Sequence, residues 1–122
     1  MSLKEIPQIE GFDFDYAMDI FQDESILKVI LIDFYEALDE LRDKLNGLYE
    51  TIREDDNLSL YRLEVHALKS TSASVGALQI SEQARLLEEA AIAGDIERIG
   101  CKHPLLMEDI AKHKERLAVI SP

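Results

Sequence analysis

The chain is poor in residues that staple, break or stiffen a fold. Of its 122 residues, one is cysteine, three are proline, five are glycine and none is tryptophan. The lone Cys101 excludes an intrachain disulfide and leaves too few thiolates for a zinc cluster. It suits a reducing compartment, so a cytoplasmic location is the expectation. No apolar run approaches the ~18 residues of a membrane span, and no signal peptide is visible. No segment alternates strictly between apolar and polar residues, so strands are not expected. Positive charge is also scarce: 13 Lys and Arg face 25 Asp and Glu, for a net charge of -12. Binding a phosphate backbone or an anionic membrane needs a basic surface, so neither nucleic acid nor lipid is an expected partner. The acidic excess itself favours solubility.

What remains is rich in helix formers. Apolar residues make up 47% of the chain, which argues against disorder. The length fits one domain over 1–122, with an irregular lead-in over 1–12 that contains Pro7 and Gly11. Phe14 to Phe21 reads as a short helix with Phe14, Ala17, Met18 and Phe21 on one side. Asp23 is a candidate N-cap. Behind it, Leu27, Ile30, Phe34, Leu38, Leu41, Leu45, Leu48 and Ile52 step by threes and fours, as a long amphipathic helix does. Asn46-Gly47 marks a potential bend, and the acidic run Glu54-Asp55-Asp56-Asn57 a stop. A third helix is expected from about Leu58 to Val75, with Leu60, Leu63, Ala67, Thr71 and Val75 inward and Gly76 as the left-handed residue that ends it. A fourth is expected from about Gln79 to Ala93, with Ile80, Ala84, Leu87 and Ala91 inward. Asp95 would cap a short turn, and Pro104 would open the last helix at its first position. Leu105, Ile110, Leu117 and Ile120 would supply that helix's apolar contacts. The fold expected is therefore all-α: an antiparallel four-helix bundle with a short additional N-terminal helix.

Chemistry concentrates on the third helix. At ~100° per residue, His66 lies on the half away from the apolar stripe, with Arg62, Lys69 and Ala73 on its side and Ser59 and Ser70 at the flank. Glu64 falls inside the expected stripe, and the pattern offers no account of it. A lone surface histidine ordinarily has no role. Here, however, an ammonium sits three residues on, and Ser70 to Ser74 replace the long charged side chains usual on a solvated helix face. Small residues there allow another surface to come close.

With its surroundings, His66-Ala67-Leu68-Lys69-Ser70, Gly76-Ala77, Leu87-Glu88 and Gly94-Asp95 resemble the histidine-containing phosphotransfer (HPt) domains of multistep phosphorelays. Gly11-Phe12-Asp13 and Asp33-Phe34 are similar to that family's lead-in and second helix. Ser70 stands where the family usually has Gly, and the stretch from Phe34 to His66 is about one turn longer. The resemblance implies that His66 accepts a phosphoryl group from a receiver-domain phosphoaspartate and passes it to another receiver aspartate. Lys69 would offset the charge of a phosphoryl group, which is ~-2. Glu88 would either accept the second ring N–H or be an ordinary exposed helix glutamate. Arg62, Leu63, Ala67, Ser70, Ala73 and Arg85 are candidate partner contacts, joined by Met18 of the first helix. The chain itself would hold no cofactor or metal, the receiver bringing Mg²⁺. The expected state is a monomer, either free-standing or part of a hybrid sensor kinase.

Other constellations offer less. His103, before Pro104, reads as loop or cap, and His113 as a solvated face. They are too far apart for a helical metal pair. Ser72 and Ser74 lack a glycine-flanked elbow. With no glycine-rich phosphate loop, ATP-dependent kinase activity is not expected. Three alternatives stay open: the phosphoacceptor domain of a chemotaxis-type kinase, a helical adaptor that needs no His66, and a histidine acid/base enzyme.

Overall fold

The computed structural model describes residues 6–120. Residues 1–5, the start of the expected lead-in, lie outside the described residues, as do 121–122. Five helices follow in order: α1 (Phe14–Phe21), α2 (Glu24–Glu50), α3 (Asn57–Ser74), α4 (Leu78–Ile92) and α5 (Ile96–Leu117), with a 3₁₀ turn over Ala118–Ile120. Among the described residues there is no strand, and no helix is long and apolar enough to cross a membrane. Aspartate side chains start three of the helices. Asp13 accepts from the Tyr16 N–H at 3.0 Å, Asp23 from Ser25 and Ile26 at 2.8 and 3.3 Å, and Asp95 from Arg98 at 3.0 Å.

Helices α2, α3, α4 and α5 pack each against the next, and α5 closes the ring against α2, while α1 lies across α2 and α3. The architecture is thus the expected helical bundle with a short N-terminal helix. The α2 helix ends at Glu50, before the acidic run, and runs unbroken through Asn46-Gly47.

Three local expectations are corrected. The first concerns α3, which buries Tyr61, Val65, Leu68 and Ser72. Leu60 and Leu63 are 45% and 60% exposed, and Ala67 and Thr71 also face solvent. The buried stripe is set by a partner from the far end of the chain: the Tyr61 hydroxyl donates to His103 Nδ1 at 2.8 Å. This bond offsets the cost of burying a phenol. The shifted stripe also accounts for Glu64, which lies at the rim of α3 and pairs with Lys44 of α2 at 2.9 Å.

The second correction is that α5 is one helix with Pro104 inside it, not a turn followed by a helix. An interior proline costs ~3 kcal/mol. Continuity lets Ile99, Leu106, Met107, Ile110 and Leu117 bury together on one face. At ~1.5–3 kcal/mol for each such side chain, that outweighs the break. Leu105 points outward instead, 52% exposed.

The third is that His103 and His113 are core residues, 3% and 0% exposed. His103 stacks on Tyr49, with ring centroids 4.2 Å apart, and its Nε2–H donates to Asn46 Oδ1 at 2.8 Å. His113 donates from Nδ1 to the Asp109 carbonyl at 2.7 Å and meets the Phe12 ring edge-on. Its position under the N-terminal segment is why Gly11 lies so close: a Cβ there would sit 2.6 Å from His113 Nε2.

The α3–α4 hairpin turns at Gly76, whose φ is +81°. Its carbonyl accepts from the Asp13 N–H at 2.8 Å, and a Cβ at this position would fall 2.2 Å from the Asp13 carbonyl oxygen. The turn therefore needs glycine both for its dihedral and for its contact with the start of α1.

Two outcomes follow from these features. Gly76→Ala should lower stability by more than ~2 kcal/mol in urea unfolding, since a side chain meets both strain and a backbone clash; a loss under ~0.5 kcal/mol would refute the close contact. Burial pushes the His103 imidazole down to about 4. In the unfolded chain an imidazole titrates near ~6.5, so the unfolded state takes up the proton first. Stability from this group is therefore complete above pH ~6.5 and falls as pH drops towards 4, by up to ~3 kcal/mol. His103→Gln should flatten the urea midpoint between pH 6.5 and 5 relative to wild type, and equal slopes would count against it.

Candidate functional site

The His66 side chain is 59% exposed on the outer face of α3. With the α3 stripe running through Tyr61, Val65, Leu68 and Ser72, position 66 still falls on the far side of the helix. A helical side chain leans towards the N-terminus. His66 therefore leans over the turn that carries Arg62 and Leu63, both exposed.

Across the α3–α4 interface stands Glu88, with its side chain 12% exposed. Its two oxygens are divided. Oε1 accepts from Lys69 Nζ at 2.7 Å, and Oε2 is hydrogen-bonded to His66 Nδ1. The Lys69 ammonium, and next the His66 contact, hold the Glu88 carboxyl below the usual carboxylate range, against the opposing effect of burial. Glu88 is thus ionised and can only accept, so His66 Nδ1 carries a proton and donates it. In the neutral ring this leaves the lone pair on Nε2. The alternative that Glu88 is an ordinary exposed glutamate does not fit its burial or its two partners.

The hairpin holds this geometry. Ser81 of α4 donates from Oγ to the Lys69 carbonyl at 2.8 Å, tying the two helices beside the ion pair. The two helices pack against each other, and Leu68 and Ser72 of α3, like Ala84 and Leu87 of α4, are buried. Ser70 is exposed and Ala73 half-buried, so neither walls off the imidazole. Leu63, Ala67 and Ser70 are exposed on α3. Ile30, Phe34, Ala37, Leu41, Thr71 and Ser74 border an apolar groove of about 260 Å³ between α2 and α3. Met18 packs against the core from α1.

Arg85 is engaged within its own helix. Its guanidinium donates to Glu82 at 2.8 and 2.6 Å and also contacts Glu89. Sequence reasoning brought His66, Lys69 and Glu88 to one region but missed that a single carboxylate serves both His66 and Lys69. It also missed Ser81 as the second tie. Neither is visible in spacing, because both depend on how α4 crosses α3. Among the described residues, no group of three or more His, Cys, Asp or Glu could hold a metal ion.

The family model described as Hpt domain matches residues 26–116, from early α2 to near the end of α5. No curated protein and no solved structure matches the chain.

The Glu88 contact sets an expected tautomer. Long-range ¹H–¹⁵N spectra of neutral His66 should show the proton on Nδ1. In Glu88→Ala the ring should shift towards the Nε2–H form that free imidazoles favour. An unchanged tautomer in the variant would show that Glu88 does not orient the ring.

Proposed function

The chain belongs to the Hpt domain family, whose role is histidine phosphotransfer in phosphorelays, and from that premise we propose that His66 is the residue phosphorylated. It receives the group from a receiver-domain phosphoaspartate and returns it to the aspartate of another receiver. The observation that carries this reading is an exposed imidazole whose Nδ1 is bound to Glu88, which leaves Nε2 as the nitrogen able to attack.

The step balances without a base. The Nε2 lone pair attacks phosphorus, an N–P bond forms, and the P–O bond to the aspartyl carboxylate breaks. The carboxylate departs with the bonding electrons. Nδ1 keeps its proton throughout, so the phosphorylated ring is cationic and faces the Glu88 carboxylate. Transfer of this kind asks a protein for position and charge compensation rather than covalent chemistry. Glu88, kept ionised by Lys69, positions the ring and balances the charge the ring gains, and Mg²⁺ belongs to the receiver. Reversal needs only another carboxylate in line with the N–P bond.

A receiver docks across the α3 face and the α2–α3 groove. Exposed Leu63 and the small residues Ala67 and Ser70 share α3 with the imidazole, and the groove beside α3 supplies the apolar strip of Ile30, Ala37 and Leu41. Asp33 lines the same groove and Glu40 the adjoining one beside Ala37 and Leu41, so charge surrounds an apolar centre, the usual composition of a transient interface. An adaptor that made no use of His66 would leave the ionised, double-bonded Glu88 unexplained.

A Mg²⁺-loaded phosphorylated receiver should transfer acid-labile, base-stable label to the wild-type chain. His66→Gln should take up none while keeping its helical spectrum, and Lys69→Ala should label at least tenfold more slowly, as loss of a charge-assisted hydrogen bond implies. Equal labelling of His66→Gln would reject the site.

A further inference from the structure

Resting on that reading, we infer that Arg62 is a phosphoryl-binding residue of the site: its guanidinium holds the oxygens of the group in flight and on His66. The basis is the charge balance around the imidazole. Lys69 is bound to Glu88 at 2.7 Å, so those two charges cancel. Arg85 lies between Glu82 and Glu89. Lys44, across the groove, is held by Glu64 at 2.9 Å. Among the described residues Arg62 has no carboxylate within ion-pair distance, although the chain carries nearly twice as many acids as bases. On the His66 face it is the positive charge left uncompensated.

Its position suits the role. Arg62 lies four residues before His66, about 6 Å along the helix axis and on the same face. The lean of a helical side chain carries the His66 ring back over the turn that bears Arg62. Nδ1 is bound to Glu88, which leaves Nε2 for the phosphoryl group, and an exposed arginine one turn away is long enough to reach it. Its planar fork of donors matches two oxygens of a phosphoryl group, which an ammonium cannot do. Lys69, by contrast, stays with Glu88 and holds the carboxylate that orients the ring. The two cations divide the work: one serves the imidazole, the other the phosphorus.

The alternative is that Arg62 only touches the docked receiver. Two donors separate these roles. One is a phosphorylated receiver domain in Mg²⁺; the other is phosphoramidate, which carries the same group with no protein surface. Labelling of the full chain by both should slow roughly tenfold in Arg62→Gln, with the helical spectrum unchanged, and recover in part in Arg62→Lys. Wild-type rates with phosphoramidate would overturn the inference, whether or not the receiver reaction slows. If Arg62→Lys gives no recovery with either donor, charge at this position is not what acts, and the inference fails. Labelling of His66→Gln as fast as wild type would sink the parent reading separately, since it would place the phosphoryl group on another residue.

Discussion

The whole site turns on one carboxylate shared between two helices. Glu88 sits at the α3–α4 contact with Lys69 on one oxygen and His66 on the other. A buried carboxylate with no partner would be costly and would tend to take up a proton. Here the ammonium keeps it ionised, and ionisation makes it an obligate acceptor. That in turn fixes which imidazole nitrogen bears hydrogen. The nucleophilic lone pair of the proposed reaction is therefore a consequence, two bonds removed, of a lysine on the turn beyond His66.

Such an arrangement tolerates little slippage, and the backbone around it is built accordingly. The hairpin reverses at Gly76, where the start of α1 is pressed against the turn and leaves no space for a side chain. Ser81 ties α4 to the Lys69 carbonyl. Farther down α3, the buried chain Tyr61–His103–Asn46 joins three helices through neutral hydrogen bonds. Tyr61 lies five residues before His66, so the network that sets the rotation of α3 also sets which way the imidazole faces. A one-residue rotation, about 100°, would carry position 66 towards the bundle interior or away from Glu88.

This is also where the sequence stopped being legible. Helix number, the bundle and the exposure of His66 follow from local periodicity, and local periodicity is what a sequence displays. The inward face of α3 did not follow, because Leu60-Leu63-Ala67 and Tyr61-Val65-Leu68 are both plausible stripes. The choice depends on His103, 42 residues away. His103 and His113 looked solvated for the same reason: a polar ring is read as exposed unless its buried partners are known. Pro104 was read as a helix start because the rule weighs the local cost of the missing N–H, whereas α5 is decided by the apolar face it keeps continuous. Glu88 fell between these cases. Its place on α4 could be read, but its two partners belong to another helix.

The same carboxylate bears on how an acidic protein would serve the proposed phosphoryl group. With a net charge of -12, the chain as a whole repels a phosphoryl donor. Screening shortens that repulsion to about 8–10 Å at physiological salt, so the charges that count are those within a turn or two of the imidazole. There several acids are matched: Glu88 by Lys69, Glu64 by Lys44, Glu82 and Glu89 in part by Arg85. Neutralising the neighbours is as effective as adding positive charge, and it costs the surface nothing in solubility. Against that ground, the Arg62 guanidinium, with no carboxylate within ion-pair distance among the described residues, is the charge that the proposed phosphoryl group would meet.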